Sequence, residues 1–111
     1  MSQPKPEVLQ GTLDLMVMKA LATLGPLHGY GIARRIEQVS EDALKLNEGT
    51  VYQSLLRLQQ KKWISSAFGV SENNRRARFY SITASGRKQL ARETASWNRA
   101  VSIVGKILGM E

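Results

Sequence analysis

A mainly α fold with one small β-hairpin is predicted by three features of this 111-residue chain. Apolar residues recur at steps of three and four in three early segments, the first ended by Gly25-Pro26. Two short runs with aromatic residues then flank a polar, asparagine-containing turn. From Thr83 to Leu108 no proline interrupts a further helical pattern. The length allows one domain with an appended tail. Apolar residues make up 42% and charged residues 23%, the balance of a folded, soluble chain. No cysteine is present, which removes disulfides, thiolate zinc sites and thiol catalysis together. The N-terminus has no signal-peptide pattern, and the apolar run 15–18 stops at Lys19, far short of the ~20 residues that span a bilayer. A cytoplasmic protein is expected.

The first helix is expected over 7–24, with Leu9, Leu13, Met16 (or Val17), Ala20 and Leu24 as its apolar stripe. Gly25-Pro26 ends it. A second helix fits 29–39, with Ile32, Ile36 and Val39 on one side and Arg34 and Arg35 elsewhere. Residues 40–46 connect, with a short extended piece at 44–46. Asn47 then reads as the N-cap of a third helix running to about Lys62. At 100° per residue Val51, Leu55 and Leu58 form its core stripe. Thr50, Gln53, Arg57, Gln60 and Lys61 gather opposite, a donor-rich face without carboxylates, while Ser54 sits at the border. Strands are expected over 63–70 and 77–82, with Asn73-Asn74 at the tip in the positive-φ region and Arg75, Arg76 and Arg78 on the tip and returning strand. Three helices followed by an arginine-tipped hairpin is the order of a winged helix-turn-helix.

Thr83 is the expected N-cap of the fourth helix, although Gly86 replaces the Glu or Gln of a full capping box. The helix then measures roughly 40 Å at about 1.5 Å per residue. Leu90, Trp97, Val101, Val104 and Leu108 space a coiled-coil-like seam along it. A helix this long projects beyond a small domain unless its stripe is covered. A twofold partner is the simplest cover, with Leu9 and Leu13 of the first helix joining the interface; packing back onto its own domain is the alternative. Residues 1–82 are thus read as the winged helix-turn-helix domain and 83–111 as a dimerisation helix.

Charge points to the partner. Residues 1–56 carry five Lys/Arg against six Asp/Glu, whereas residues 57–106 carry eleven against two. Such clustering suits a polyanion through counterion release, and the third helix carries what the major groove requires, since Arg pairs with guanine and Gln with adenine. Gln53 and Arg57 are expected to read bases. Tyr30, Asn47, Thr50, Tyr52, Lys61, Asn74, Arg75, Arg76 and Arg78 complete the expected DNA-binding set, with Thr50, Tyr52 and the wing arginines on phosphates. Tyr30 is equally open to a packing role. An RNA partner is less well served, because no interleaved aromatic platform appears. A membrane partner is disfavoured because the basic residues do not share one amphipathic helix.

Catalysis and metal binding find no support. His28 is the sole histidine and is expected to cap or fill the turn between the first two helices. Gly29 and Gly31 lack the third glycine and preceding strand of a phosphate loop, and no nucleophile–base or acid–base pair is visible. No cofactor is expected. The competing reading is a winged-helix protein–protein interaction module that does not bind DNA.

The segments 11–15 (GTLDL), 25–32 (GPLHGYGI), 49–52 (GTVY), 55–58 (LLRL), 63–64 (WI), 71–80 (SENNRRARFY) and 82–87 (ITASGR) resemble, in order and across nearly the whole chain, short members of the PadR family of transcriptional regulators. The resemblance implies a dimeric winged-helix repressor that dimerises through its C-terminal helix. Gln53 stands where relatives commonly have Pro; Leu56 and Gln59 depart as well, so no operator sequence carries over. A pseudo-palindromic DNA site with half-sites about one helical turn apart is expected. Relatives also include sensors of small aromatic compounds. Trp97, midway along the seam, either brackets a planar effector with its mate or simply packs the dimer core.

Overall fold

The computed structural model describes the backbone of residues 6–110 and the side chains of residues 11–110. In chain order it contains α1 (Pro6–Leu24), α2 (Gly29–Val39), α3 (Glu48–Gln60), β1 (Ile64–Val70), β2 (Arg76–Ile82) and α4 (Ala84–Leu108). Each boundary has a local cause. Gly25 takes φ 83°, a conformation that costs a side-chain-bearing residue energy, and Pro26 then blocks continuation. His28 caps α2 by accepting the Gly31 N–H at its Nδ1 (3.0 Å), the capping role expected of it. Asn47 caps α3 by accepting the Thr50 N–H (2.7 Å). Thr83 caps α4 by accepting the Gly86 N–H (3.0 Å). At the end of α3, Lys62 sits at φ 63° while its N–H reaches Gln59 O and that of Trp63 reaches Leu58 O. This is a Schellman stop built without glycine.

α1, α2 and α3 pack around one core made of Leu13, Val17, Met18, Leu21, Ile32, Ala33, Ile36, Val51, Leu55 and Leu58, closed below by Ile64 and Tyr80 of the hairpin. The strands pair antiparallel in the register Ile64↔Ile82 to Val70↔Arg76, and Asn74 turns the tip at φ 58°. One unforeseen element ties the hairpin to the helices. Leu27 and Tyr80 exchange both backbone hydrogen bonds (3.1 and 2.9 Å), so the α1–α2 turn acts as a one-residue third strand. α4 then packs its first half on α1, with Leu90 against the core cluster. From Thr94 to Met110 every residue is exposed, and the molecule is 57 Å along its longest axis. No helix among the described residues is long and apolar enough to cross a membrane.

Several expectations need correction. The buried stripe of α1 runs through Leu13, Val17, Met18, Ala20 and Leu21, whereas Met16 is only partly buried and Leu24 is exposed. α1 meets α2, α3, β2 and α4, so its buried arc is wider than one coiled-coil-like line. Leu13 belongs to its own chain's core at 4% exposure and has no surface left for a dimer contact. Leu90 is likewise partly used inside its own chain, and Leu9 lies outside the residues whose side chains are described. Val39 points out; Ala33 takes its place beside Ile32 and Ile36. Residues 44–46 form no strand, and Leu44 and Leu46 anchor that connection by packing on the core. Ser54 is fully buried rather than at a border.

Candidate nucleic-acid interface

The N-termini of α2 and α3 and the wing enclose an open groove of about 640 Å³. Tyr30 enters from α2, Gly49 and Tyr52 from α3, and Arg75, Arg76 and Arg78 from the wing. His28 holds the parts together. Its ring meets the Phe79 ring edge-on at 5.5 Å and stacks with Tyr30 at 6.3 Å, while its Nε2 lies 4.0 Å from Glu72. Tyr30 and Tyr52 are each more than half exposed and line the groove rather than the core.

Two of the three wing arginines, Arg76 and Arg78, are ordered by one aromatic side chain. Register pairs Phe68 with Arg78, and Arg76 lies two residues earlier on the same strand face. Both guanidinium groups sit over the Phe68 ring, at 4.2 Å for Arg76 and 4.5 Å for Arg78. Arg78 also donates to Ser66 Oγ at 2.9 Å. A cation held on a ring loses less side-chain freedom on meeting a phosphate than a free one. The alternation of Phe68 with Arg76 and Arg78 across the turn was the available signal.

Other predicted residues fall as follows. Thr50 and Gln53 are exposed on α3. Asn47 is exposed, but its side-chain oxygen is committed to the cap. Asn74 shapes the tip through its backbone. Lys61 lies about 16 Å along the helix from Thr50, at the end away from the groove, with its ammonium 4.8 Å over Trp63. The donor face of α3 carries no carboxylate of its own, but Glu48 at the helix start and Glu72 of the wing both line the groove.

Arg57 is the main correction. It does not stand free on the reading face but turns to α1, where Nε and Nη2 donate to the two Asp14 carboxylate oxygens at 3.1 and 2.7 Å. The Ser54 hydroxyl donates to the same carboxylate at 2.6 Å. Hydrogen bonding to Asp14 holds the Arg57 guanidinium pKa above its usual value, against the opposing effect of burial. A lone carboxylate inside an apolar helical stripe, between Leu13 and Leu15, was the signal for this partner.

No group of three His, Asp or Glu side chains that could hold a metal occurs among the described residues. A three-helix unit with a two-stranded wing, bridged back to the helices at Leu27 and Tyr80, defines a winged helix-turn-helix protein. The chain belongs to the PadR-like family of transcriptional regulators, whose family model matches residues 17–92. That family regulates transcription and is not a class of enzyme. A transcriptional regulator from Clostridium thermocellum superposes with TM-score 0.81 at 26% identity, over 90% of this chain and 96% of that one. A PadR-like regulator from Bacillus cereus gives 0.80 at 25% identity, over 95% and 99%. A PadR family regulator from Clostridium difficile gives 0.75 at 29%, over 89% and 100%. Among curated sequences, an uncharacterised 37.1 kDa protein in a Streptomyces fradiae transposon is 40% identical over 86 residues, 78% of this chain. The chain spans only 23% of that relative's length.

Proposed function

We propose that this regulator binds double-stranded DNA through the exposed face of α3 and the wing. One observation carries the reading: Arg75, Arg76 and Arg78 converge with Tyr30 and Tyr52 on the groove beside the N-terminus of α3. The positive end of the α3 dipole lies there too, which favours a phosphate. Gln53 reads bases in this scheme; Thr50, Tyr52 and the arginines hold the backbone. Fluorescence anisotropy with labelled duplexes tests it. Binding that weakens steeply with salt supports the reading, and no binding at any salt concentration favours the protein–protein interaction module instead.

The working form is a homodimer. Trp97 is nearly half exposed along α4, Val101, Val104, Leu108, Ile103 and Ile107 are more than half exposed, and a second copy is the simplest cover for so much apolar surface. The twofold arrangement matches a pseudo-palindromic operator with half-sites about one helical turn apart. In this reading the dimer acts as a cytoplasmic repressor, residues 1–82 contacting DNA and residues 83–111 dimerising. A small aromatic effector entering beside Trp97 releases it by favouring another spacing of the two α3 helices. A compound that dissociates the DNA complex while quenching Trp97 fluorescence in a Trp63→Phe background supports that site. Normal release in Trp97→Ala rejects it and leaves Trp97 as dimer packing.

A further inference from the structure

We propose that Asp14 is a positioning residue of the recognition surface: acting through Ser54 and Arg57, it fixes the rotation of α3 about its own axis. The inference rests on the DNA-binding reading above and assigns a function to a residue of α1 that touches no DNA in that reading.

Geometry carries the argument. Ser54 and Arg57 lie three residues apart, so one carboxylate grips α3 at two points almost a full turn apart. Three hydrogen bonds converge on it, at 2.6, 2.7 and 3.1 Å. The carboxylate side chain is 14% exposed and Ser54 is fully buried, so water competes weakly for these bonds. Among the described residues this is the only ion pair that joins two helices; Arg34–Glu37 and Lys45–Asp42 are local.

The rest of the α1–α3 contact is apolar, through Val51, Leu55 and Leu58. Apolar burial has no direction and tolerates a small roll, whereas hydrogen bonds weaken steeply once misaligned. A roll of about 20° carries a side-chain tip roughly 6 Å from the helix axis through about 2 Å. That is enough to break a base contact from Gln53. It matters far less to phosphate contacts made by long wing side chains on a separate element. Thr50 and Tyr52 roll with α3, but the three wing arginines do not, so losing the clamp costs sequence discrimination more than general affinity. Buried ion pairs contribute little net stability, and fixing one arrangement is their better-supported use.

The test uses a duplex enriched by the wild-type protein from a random pool, compared with a shuffled duplex of equal length. For Asp14→Asn the ratio of the two affinities is expected to fall about tenfold, with shuffled-duplex affinity falling no more than about twofold and solution mass unchanged. Ser54→Ala, which removes one bond and keeps the ion pair, is expected to lower the ratio about threefold. It carries the test alone if Asp14→Asn does not fold. Arg57→Gln should match Asp14→Asn, and the double variant should be no worse than either single one, because both break the same clamp. An unchanged ratio in Asp14→Asn or, where that variant does not fold, in Ser54→Ala, or a parallel loss on both duplexes, overturns the proposal. So does an Arg57→Gln variant that relaxes one base position while Asp14→Asn keeps full discrimination, because Arg57 then reads DNA directly. A wild-type protein that enriches no sequence overturns the DNA reading, and this inference falls with it.

Discussion

Gly86 occupies the third residue of α4, directly over the strand that starts the hairpin. A methyl group added there collides with the Trp63 carbonyl oxygen and lies 2.8 Å from Ile82 Cγ1 and 2.9 Å from the Trp63 carbonyl carbon. Backbone atoms cannot swing aside as a side-chain tip can. The same Trp63 oxygen accepts the Thr83 N–H at 3.0 Å, and the Thr83 hydroxyl donates to Lys62 O at 2.9 Å. Gly86→Ala must therefore lift the start of α4 and strain its cap. Overpacking costs about 1–3 kcal/mol and a damaged cap about 1 kcal/mol, against a gain of about 1 kcal/mol in helix propensity. The net is a loss of about 2 kcal/mol, or roughly 10 °C in Tm for a domain of this size. Far-UV circular dichroism melts at one fixed protein concentration measure it, since the proposed dimerisation would make Tm concentration-dependent. Gly105→Ala is the control, as its added methyl meets nothing within 4 Å in its own chain. It should go the other way by up to ~1 kcal/mol. A Gly86→Ala protein that melts at or above wild type refutes the packing argument.

Three further outcomes are expected. Asn47→Ala removes the 2.7 Å cap on Thr50 N–H and should lower stability by about 1 kcal/mol in urea unfolding; no change would show that another group caps α3. Burial raises the Tyr80 pKa above its usual value, so the folded state prefers the neutral phenol. The resulting stability is complete below about pH 10 and is lost as pH rises through the folded value. Urea midpoints from pH 8 to 11 should therefore fall less for Tyr80→Phe than for wild type, and parallel curves would reject the assignment. Phe68→Ala frees both guanidinium groups from their ring and should weaken all duplexes severalfold without unfolding the protein, because Phe68 is 55% exposed. Discrimination lost with no general weakening would contradict the platform role.

Elements with strong local signals were legible from the sequence. Gly25-Pro26, the Asn47 and Thr83 caps and the proline-free stretch to Leu108 set helix limits that the structure reproduces within one or two residues. Local punctuation acts on the backbone directly, so it needs no tertiary knowledge. Side-chain direction does. A helical wheel puts Arg57 on the outer face, yet Asp14, 43 residues away, pulls it inward. Gly86 looked like a defect in a capping box, and only the crossing over Trp63 explains it. Val39 fitted the stripe of α2, but α2 ends where its neighbours no longer cover it. The wing arginines were visible, whereas their shared Phe68 platform required the strand register.

The most direct test of the DNA-binding surface is the salt dependence of duplex affinity for wild type and for the triple variant Arg75→Ala/Arg76→Ala/Arg78→Ala. Each phosphate contact contributes about 0.9 to the slope of log affinity against log salt concentration. The account predicts a slope flatter by up to about 2.7 for each winged unit bound, with affinity lost on every sequence. A triple variant that keeps the wild-type slope and affinity would contradict it and place any nucleic-acid surface elsewhere on the chain.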